Sequence, residues 1–188
     1  MKVYFTASLR GMQFYEQYYN KIYSEIEKLG YIHLDKEIFT LNRIRYYNEL
    51  ETIGRDAHVD LYRRKMKALQ LADICVFEVS LHSLSIGFQI EKALNYLKPT
   101  IVLYLEDNKP YFLDGIDNDK LILSSYNNKN MNKVLKDCFE IAQKKKEQRF
   151  NFFLSPELLI HLDEASKKKG LTKSMYVRNL IEKDMDKS

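Results

Sequence analysis

Residues 72–94 read ADICVFEVSLHSLSIGFQIEKAL, and they place a strand, a loop and a helix in immediate succession. The first part, residues 74–79, is a nearly continuous apolar and β-branched run, which is typical of a buried strand. From residue 86 to residue 97 the apolar positions recur at helical spacing. A buried strand that leads into a helix favours a parallel sheet with helices on both of its faces.

The rest of the first 143 residues repeats this alternation. Residues 3–7 form a β-rich run that ends in a turn at residues 8–11. Further strands are predicted at residues 31–34, 99–104 and 121–123, and helices at residues 15–29, 60–71 and 131–146. Residues 35–56 are polar and rich in tyrosine, and we interpret them as a flap. The predicted fold is a Rossmann-like α/β domain at residues 1–143, whose ligand site lies at residues 8–11 and 80–87 beyond the strand ends.

Two stretches carry a resemblance to a known family. VYFTASLRG at residues 3–11, together with residues 72–94, resembles the nucleoside 2-deoxyribosyltransferase superfamily, above all its 2′-deoxynucleoside 5′-phosphate N-hydrolase branch. The resemblance covers most of residues 2–142. It implies a pocket for a nucleotide or deoxynucleotide, with no cofactor and no metal ion. The residues that we expect to contact this ligand are Tyr4, Ser8, Arg10, Gly11, Glu78, Ser83, Gly87 and Gln89.

These residues have different expected roles. Ser8 and Arg10 match a family loop beside the sugar phosphate, and Ser83 matches a phosphate-binding serine. Tyr4 lies in the first strand, within reach of the sugar. For Glu78 two interpretations stay open, namely contact with the sugar hydroxyls and a structural hydrogen bond to a neighbouring loop.

The two catalytic carboxylates of the family are not found at their expected positions. The family has a glutamate in a Gly-Tyr/Phe-Glu pattern, where this chain has Gln89, a neutral amide and a far weaker nucleophile. The family's acid, an aspartate eight residues before Asp73, corresponds to Lys65, although a shift in the helix would allow Asp60 to serve. Glu91 is a weak substitute nucleophile, because two helical positions turn a side chain by about 200° away from Gln89.

The last forty residues indicate a separate module. Residues 149–155 alternate as a short strand, and a lone strand needs a partner for its backbone groups, for which the simplest candidate is a second copy of the chain. Ser155 is a good helix N-cap, Pro156 suits the first helical position and Gly170 suits the end of that helix. A second helix follows from Thr172.

This module, at residues 149–188 after a basic linker at 144–148, resembles a ribbon-helix-helix DNA-binding domain of the CopG/Arc type. The resemblance implies a homodimer, or a tetramer, that binds duplex DNA. Base edges would be read by Arg149, Asn151 and Phe153, and a phosphate would be held by Thr172, Lys173 and Ser174. The alternative is a dimerisation appendage without DNA binding.

Composition sets broad limits. The chain has 188 residues, 45% hydrophobic content, a net charge of +4 and a pI near 8.8, which permit a folded core and nucleic-acid binding. Cys75 and Cys138 lie in apolar surroundings and are expected to be core thiols. Neither a membrane-spanning run nor a charged-then-apolar leader is evident in the sequence, so we expect a cytoplasmic protein without a membrane partner.

Two functions of different classes follow. In the first, the chain is a DNA-binding regulator, a pseudoenzyme whose deoxyribosyltransferase-like domain binds a nucleotide without efficient catalysis. In the second, it is an N-glycosidase or deoxyribosyltransferase that acts on (deoxy)nucleotides, and the C-terminal module only dimerises. Gln89 and Lys65 favour the first function, whereas Ser8, Arg10 and Ser83 fit both. A surface for protein–protein contact without any ligand is a third interpretation.

Overall fold

The computed structural model describes residues 1–40, 43–145 and 152–185. The chain divides into two compact units, residues 1–147 and residues 148–188.

The first unit is built on a five-stranded sheet in which all neighbouring strands are parallel. The strands are β1 (Lys2–Ala7), β2 (Ile32–His33), β3 (Ile74–Glu78), β4 (Thr100–Leu105) and β5 (Leu121–Tyr126). Their order across the sheet is β2-β1-β3-β4-β5. The chain leaves β1 toward β2 on one side and later returns to β3 on the other. The crevice beyond the carboxyl ends of β1 and β3 is therefore the topological switch point, where open α/β sheets bind ligands.

Helices cover both faces of this sheet. They are α1 (Met12–Lys28), α2 (Glu37–Thr40), α3 (Arg43–Ile53), α4 (Arg55–Leu71), α5 (Leu84–Asn95), α6 (Tyr111–Asp114) and α7 (Met131–Lys144). One core cluster joins the sheet to α1 and α7, and a second joins it to α4 and α5. The predicted parallel α/β sheet with helices on both faces is confirmed.

Strand residues alternate strictly between the two core clusters. In β1, Val3 and Phe5 pack in the cluster of α1 and α7, whereas Tyr4 packs in the cluster of α4 and α5. In β3, Val76 and Phe77 divide in the same way. Successive side chains of a strand point to opposite faces, so this parity decides which strand residues face the α4 and α5 side.

Three local elements differ from, or add to, what the sequence predicts. Residues 37–40 and 43–53 are helical, so the segment that we interpreted as a flap consists largely of α2 and α3. Helix α4 begins at Arg55 rather than at residue 60, after Gly54, whose φ of +75° favours glycine. Helix α6 was not predicted. Ile38 of α2 is buried in the core of the first unit, so tertiary packing outweighs the weak apolar periodicity of this segment.

Helices α8 (Pro156–Lys168) and α9 (Lys173–Met185) form the described part of the second unit. The Ser155 hydroxyl accepts a hydrogen bond from the Leu158 N–H at 3.4 Å, and Pro156 occupies the first turn, as predicted. Gly170 has a φ of +65°, so the predicted left-handed helix end is confirmed.

The predicted ribbon is described only in part. Residues 152–155 adopt no strand within the single chain, and Arg149 and Asn151 lie outside the described residues. Among the described residues of α8 and α9, Ser166 alone is buried. The apolar side chains of these two helices therefore form no enclosed core within this unit.

Both cysteines are free and buried, as expected for core thiols. Burial raises the pKa of the Cys75 thiol to about 12. In the part of the chain that the structure describes, no helix is long and apolar enough to cross a membrane.

Candidate functional site

A cavity of about 760 Å³ opens at the switch point of the first unit. Its floor is the end of β1 and the following turn, and its walls come from α2, α3, α4 and the first turns of α5. The volume lies within the range of about 300–1,000 Å³ that small-molecule sites occupy. It is the candidate ligand site of this unit.

One end of the cavity is polar and cationic. Ser8 and Arg10 line it from the turn after β1, and Ser83 lines it from the start of α5. The Ser83 and Ser85 hydroxyls lie 3.0 Å apart, and the Ser83 side chain makes no capping hydrogen bond to α5. The N–H groups in the first turn of α5 therefore stay open to an anion, with the positive end of the helix dipole behind them. This region is called the anion end below.

Gln89 lines the cavity beside the anion end, and its amide is fixed on both sides. Its Oε1 accepts a hydrogen bond from the Tyr4 hydroxyl at 2.5 Å, and its Nε2 donates to the Ser85 carbonyl at 3.2 Å. Tyr4 is fully buried, so its contact with the cavity passes through Gln89. Burial, the largest cause, raises the pKa of the Tyr4 hydroxyl, which keeps it a donor.

Another wall of the cavity carries a cluster of charged side chains. The Lys65 ammonium pairs with Asp35 and, at 2.7 Å, with Glu37 Oε2. Arg64 contacts the other oxygen of Glu37, and Asp35 Oδ1 accepts from the Glu37 N–H at 2.8 Å. Asp35, Glu37 and Lys65 are called the lysine–carboxylate cluster below. Glu37 is the one carboxylate among the described residues that line the cavity.

The remaining walls are largely apolar and aromatic. Described side chains on them are Ile38, Tyr46, Tyr47, Leu50, Leu61, Tyr62, Met66, Leu84, Ile86 and Phe88. The rings of Tyr62 and Phe88 lie 6.3 Å apart between centroids. Such walls accommodate a flat, weakly polar group such as a heterocycle.

Glu78 has the structural role among its two interpretations. Its side chain is fully buried, and its Oε1 accepts hydrogen bonds from the Ser80 N–H at 3.2 Å, the Ser80 hydroxyl and the Tyr126 hydroxyl at 2.9 Å. The alternation of side chains along β3 explains this, because Glu78 lies on the same face as Val76 and points to the α1 and α7 side. Gln89 bonds to Tyr4, which lies on the other side of the sheet. Burial raises the pKa of the Glu78 carboxyl.

Several other candidates do not line the cavity. Gly11 is buried under Tyr19, and a Cβ there would lie 2.1 Å from the Tyr19 hydroxyl oxygen. Gly87 is a helical residue of α5 with open space around it. Glu91 is exposed and accepts a hydrogen bond from Asn95 at 3.0 Å, and Asp60 is exposed and pairs with Arg64. Of the two residues considered for the family's acid position, Lys65 is the one at the cavity.

The structure places two DNA-binding candidates of the second unit, Thr172 and Lys173, in local contacts, and Phe153 is fully exposed. The Thr172 hydroxyl accepts from the Met175 N–H at 3.2 Å as a helix cap, and Lys173 pairs with Asp163 at 3.0 Å. Ser174 is exposed in the first turn of α9. DNA binding by these residues stays a prediction.

Sequence patterns did not indicate Asp35, Glu37, His58 or the tyrosines of α3 as site residues. Asp35 and Glu37 lie thirty and twenty-eight residues before Lys65, in the segment interpreted as a flap. A local pattern cannot show a contact between residues so far apart in the sequence. The two acids do follow the end of β2, however, and ligands bind beyond strand ends, so their position could have indicated the site. Among the described residues, no group of three or more His, Cys, Asp or Glu side chains is placed to hold a metal ion.

No protein-family model matches the chain. A curated protein of Thermofilum pendens named "Putative 2'-deoxynucleoside 5'-phosphate N-hydrolase 1" is 31% identical over 107 residues, which are 57% of this chain and 70% of that protein. The chain belongs to the 2′-deoxynucleoside 5′-phosphate N-hydrolase family.

A solved structure is similar in fold to this chain. The CMP N-glycosidase BcmB of Clostridium botulinum superposes with a TM-score of 0.51 at 14% identity, covering 74% of this chain and 99% of the other. The superposition supports the deoxyribosyltransferase-like α/β fold of the first unit. Neither comparison supports the ribbon-helix-helix resemblance or a DNA-binding function.

Proposed function

We propose that the first unit binds a nucleoside 5′-monophosphate in this cavity and hydrolyses its N-glycosidic bond. The observation that carries the proposal is the anion end, where Ser8, Arg10 and Ser83 meet the open first turn of α5 at one end of an otherwise apolar cavity. The names of the two related proteins, a deoxynucleotide N-hydrolase and a CMP N-glycosidase, support the same class of substrate.

The two parts of the cavity fit the two parts of a nucleotide. Arg10 and the α5 amides supply positive charge and donors for the phosphate, which binds most tightly where charge-assisted hydrogen bonds converge. The aromatic and aliphatic walls receive the base. The sugar then lies between them, beside Gln89 and its partner Tyr4.

The Gln89 amide restricts the mechanism. A carboxamide does not form a glycosyl ester as a carboxylate does, so a covalent intermediate at this position is not expected. Hydrolysis would instead proceed by attack of water on a cation-like sugar. The neutral Gln89 amide would stabilise the positive charge on the sugar only through its carbonyl dipole. We therefore expect turnover well below that of an enzyme with a carboxylate here.

Base release tests the proposal directly. The full chain is incubated with ribo- and deoxyribonucleoside monophosphates, and free base and sugar 5-phosphate are separated by chromatography. We expect equal amounts of both products from one or a few nucleotides, and none from the matching nucleosides, which lack the phosphate. Release of nucleosides and nucleotides at the same rate would contradict the assignment of the anion end.

A second function is favoured by one specific observation, the amide at Gln89. If the amide prevents turnover, the first unit is a nucleotide sensor, and the second unit binds duplex DNA or holds copies of the chain together. Nucleotide binding by calorimetry without any base release would select the sensor. A gel shift of genomic fragments at moderate salt then separates DNA binding from a purely dimerising role of the second unit.

A further inference from the structure

The lysine–carboxylate cluster is the most unusual feature of the cavity. By the family resemblance, a lysine on α4 stands at the position expected for a carboxylic acid, and it is paired with two acids from the segment after β2. Its side chain is 17% exposed and lines the cavity. The three residues of this cluster are not those of the anion end, and they give the cavity a second polar group.

The Lys65 ammonium is only partly paired. An ammonium group has three N–H donors and no acceptor. One donates to Asp35 Oδ2, Glu37 Oε2 lies 2.7 Å from the nitrogen as an ion pair, and no third acceptor is found among the described residues. Asp35 is itself fixed, because its other oxygen accepts from the Glu37 N–H. The ammonium is therefore anchored on one side and has one donor left for a group in the cavity.

We propose that Lys65 is a catalytic residue, which gives its proton to the departing base. The inference rests on the proposed hydrolysis of a nucleotide. The C1′–N bond breaks, and its electron pair moves to the base nitrogen, which takes a proton from Lys65. A water oxygen bonds to C1′ and loses a proton, and the Lys65 amine takes up a proton from solvent. The sum is the addition of one water to the nucleotide.

The surroundings of Lys65 suit a proton donor. Burial, the largest cause, lowers the pKa of the ammonium, while Asp35 opposes this by favouring the charged form. Burial thus makes the ammonium a stronger acid than a lysine in water, while the ion pairs with Asp35 and Glu37 favour its charged form. His58 also lines the cavity, but its imidazole makes no hydrogen bond to another described residue that would orient it.

The test compares two leaving groups. A purine or pyrimidine needs a proton to leave, whereas 4-nitrophenolate, in 4-nitrophenyl 2-deoxyriboside 5′-phosphate, leaves as an anion. Lys65→Arg keeps the positive charge and the ion pairs but is a poor acid, because a guanidinium does not lose its proton in proteins. Lys67→Arg is the matched control, since Lys67 is exposed on the same helix.

We expect Lys65→Arg to slow base release from a nucleotide by about 10²- to 10⁴-fold, the usual contribution of a general acid, and to slow 4-nitrophenolate release by less than about tenfold. Lys67→Arg should change neither rate. Equal losses with both substrates would mean that Lys65 only shapes the site, and the inference would be wrong while the proposed hydrolysis stands. If the unaltered chain releases nothing from either substrate, the proposed hydrolysis fails and takes the inference with it.

Discussion

The anion end and the lysine–carboxylate cluster belong to the same cavity but differ in origin and in kind. The anion end is made by the turn after β1 and the start of α5, next to the central strands of the sheet. The cluster joins residues from α4 and from the segment after the edge strand β2.

The residues at the anion end match the family pattern, whereas those that would perform the chemistry have changed. By the family resemblance, Ser8, Arg10 and Ser83 match the expected residues, while Gln89 and Lys65 stand where two carboxylates are expected. If these expectations hold, phosphate binding and cleavage of the glycosidic bond depend on different residues of the cavity. The experiments below test whether the two ends are as independent as this comparison implies.

The largest effect is expected from Gln89→Glu. A carboxylate at this position can attack C1′ or stabilise the cationic sugar, and Lys65 still supplies the proton, so base release should rise by about 10²- to 10⁴-fold. Initial rates with a nucleoside monophosphate measure this. Glu91→Gln, which alters an exposed carboxylate two residues along α5, is the control and should leave the rate unchanged.

An unchanged rate in Gln89→Glu would mean that the sugar is not placed against this residue, or that Lys65 does not serve as the acid. The leaving-group comparison with Lys65→Arg separates these two explanations. The two experiments together therefore show which end of the cavity limits catalysis.

The next effect concerns the anion end. Arg10→Ala removes a charged donor, and a hydrogen bond to a charged group contributes about 1.5–3 kcal/mol. Nucleoside monophosphate binding, measured by calorimetry, should weaken by about 10- to 100-fold, while the affinity for the nucleoside stays the same. Arg63→Ala, at an exposed position on α4, is the matched control. Equal weakening of nucleotide and nucleoside would show that Arg10 does not contact the phosphate.

The contrast between the anion end and the lysine–carboxylate cluster also separates what the sequence could predict from what it could not. The strands of the sheet and the cavity-lining turns at Ser8, Arg10 and Ser83 follow from local apolar runs and from the rule that ligands bind beyond strand ends. The lysine–carboxylate cluster joins residues about thirty positions apart, and no local pattern shows such a pair. Glu78 is different, because counting alternate residues from Val76 would have assigned it to the α1 and α7 face.

A smaller effect, on stability, separates the two glycines expected at the site. A Cβ at Gly11 would lie 2.1 Å from the Tyr19 hydroxyl oxygen and 3.2 Å from Cζ, and Tyr19 is fully buried. Overpacking of this kind costs about 1–3 kcal/mol, so Gly11→Ala should lower the free energy of unfolding by that amount. Gly87→Ala is the matched substitution, and it should raise stability by about 0.5–1 kcal/mol because Gly87 is helical and has open space around it.

Urea unfolding of the full chain, followed by circular dichroism, measures both substitutions. A loss of stability in Gly87→Ala as large as that in Gly11→Ala would contradict the contrast between a crowded turn and an open helix. Equal stability of Gly11→Ala and the unaltered chain would mean that Tyr19 can move aside.

The smallest effect is a change in the pH dependence of stability, and it comes from Glu78, on the α1 and α7 face of the sheet. Burial raises the pKa of this carboxyl above its ordinary value near 4.5. The folded chain therefore holds a proton at pH values where the unfolded chain has lost it, and the free energy of unfolding falls as pH rises between the two pKa values. Above the raised value both states are ionised and the fall ends.

Glu78→Gln removes this titration, so the part of the fall that Glu78 causes should disappear, while an amide oxygen can still accept from Ser80 and Tyr126. Thermal unfolding from about pH 4 to pH 8 measures the slope, and Glu16→Gln, an exposed carboxylate on α1, should leave it in place. Nucleotide affinity should not change in Glu78→Gln, because this carboxyl lies on the face opposite Tyr4 and Gln89. A loss of affinity would instead show that the anion end depends on the packing of the opposite face of the sheet.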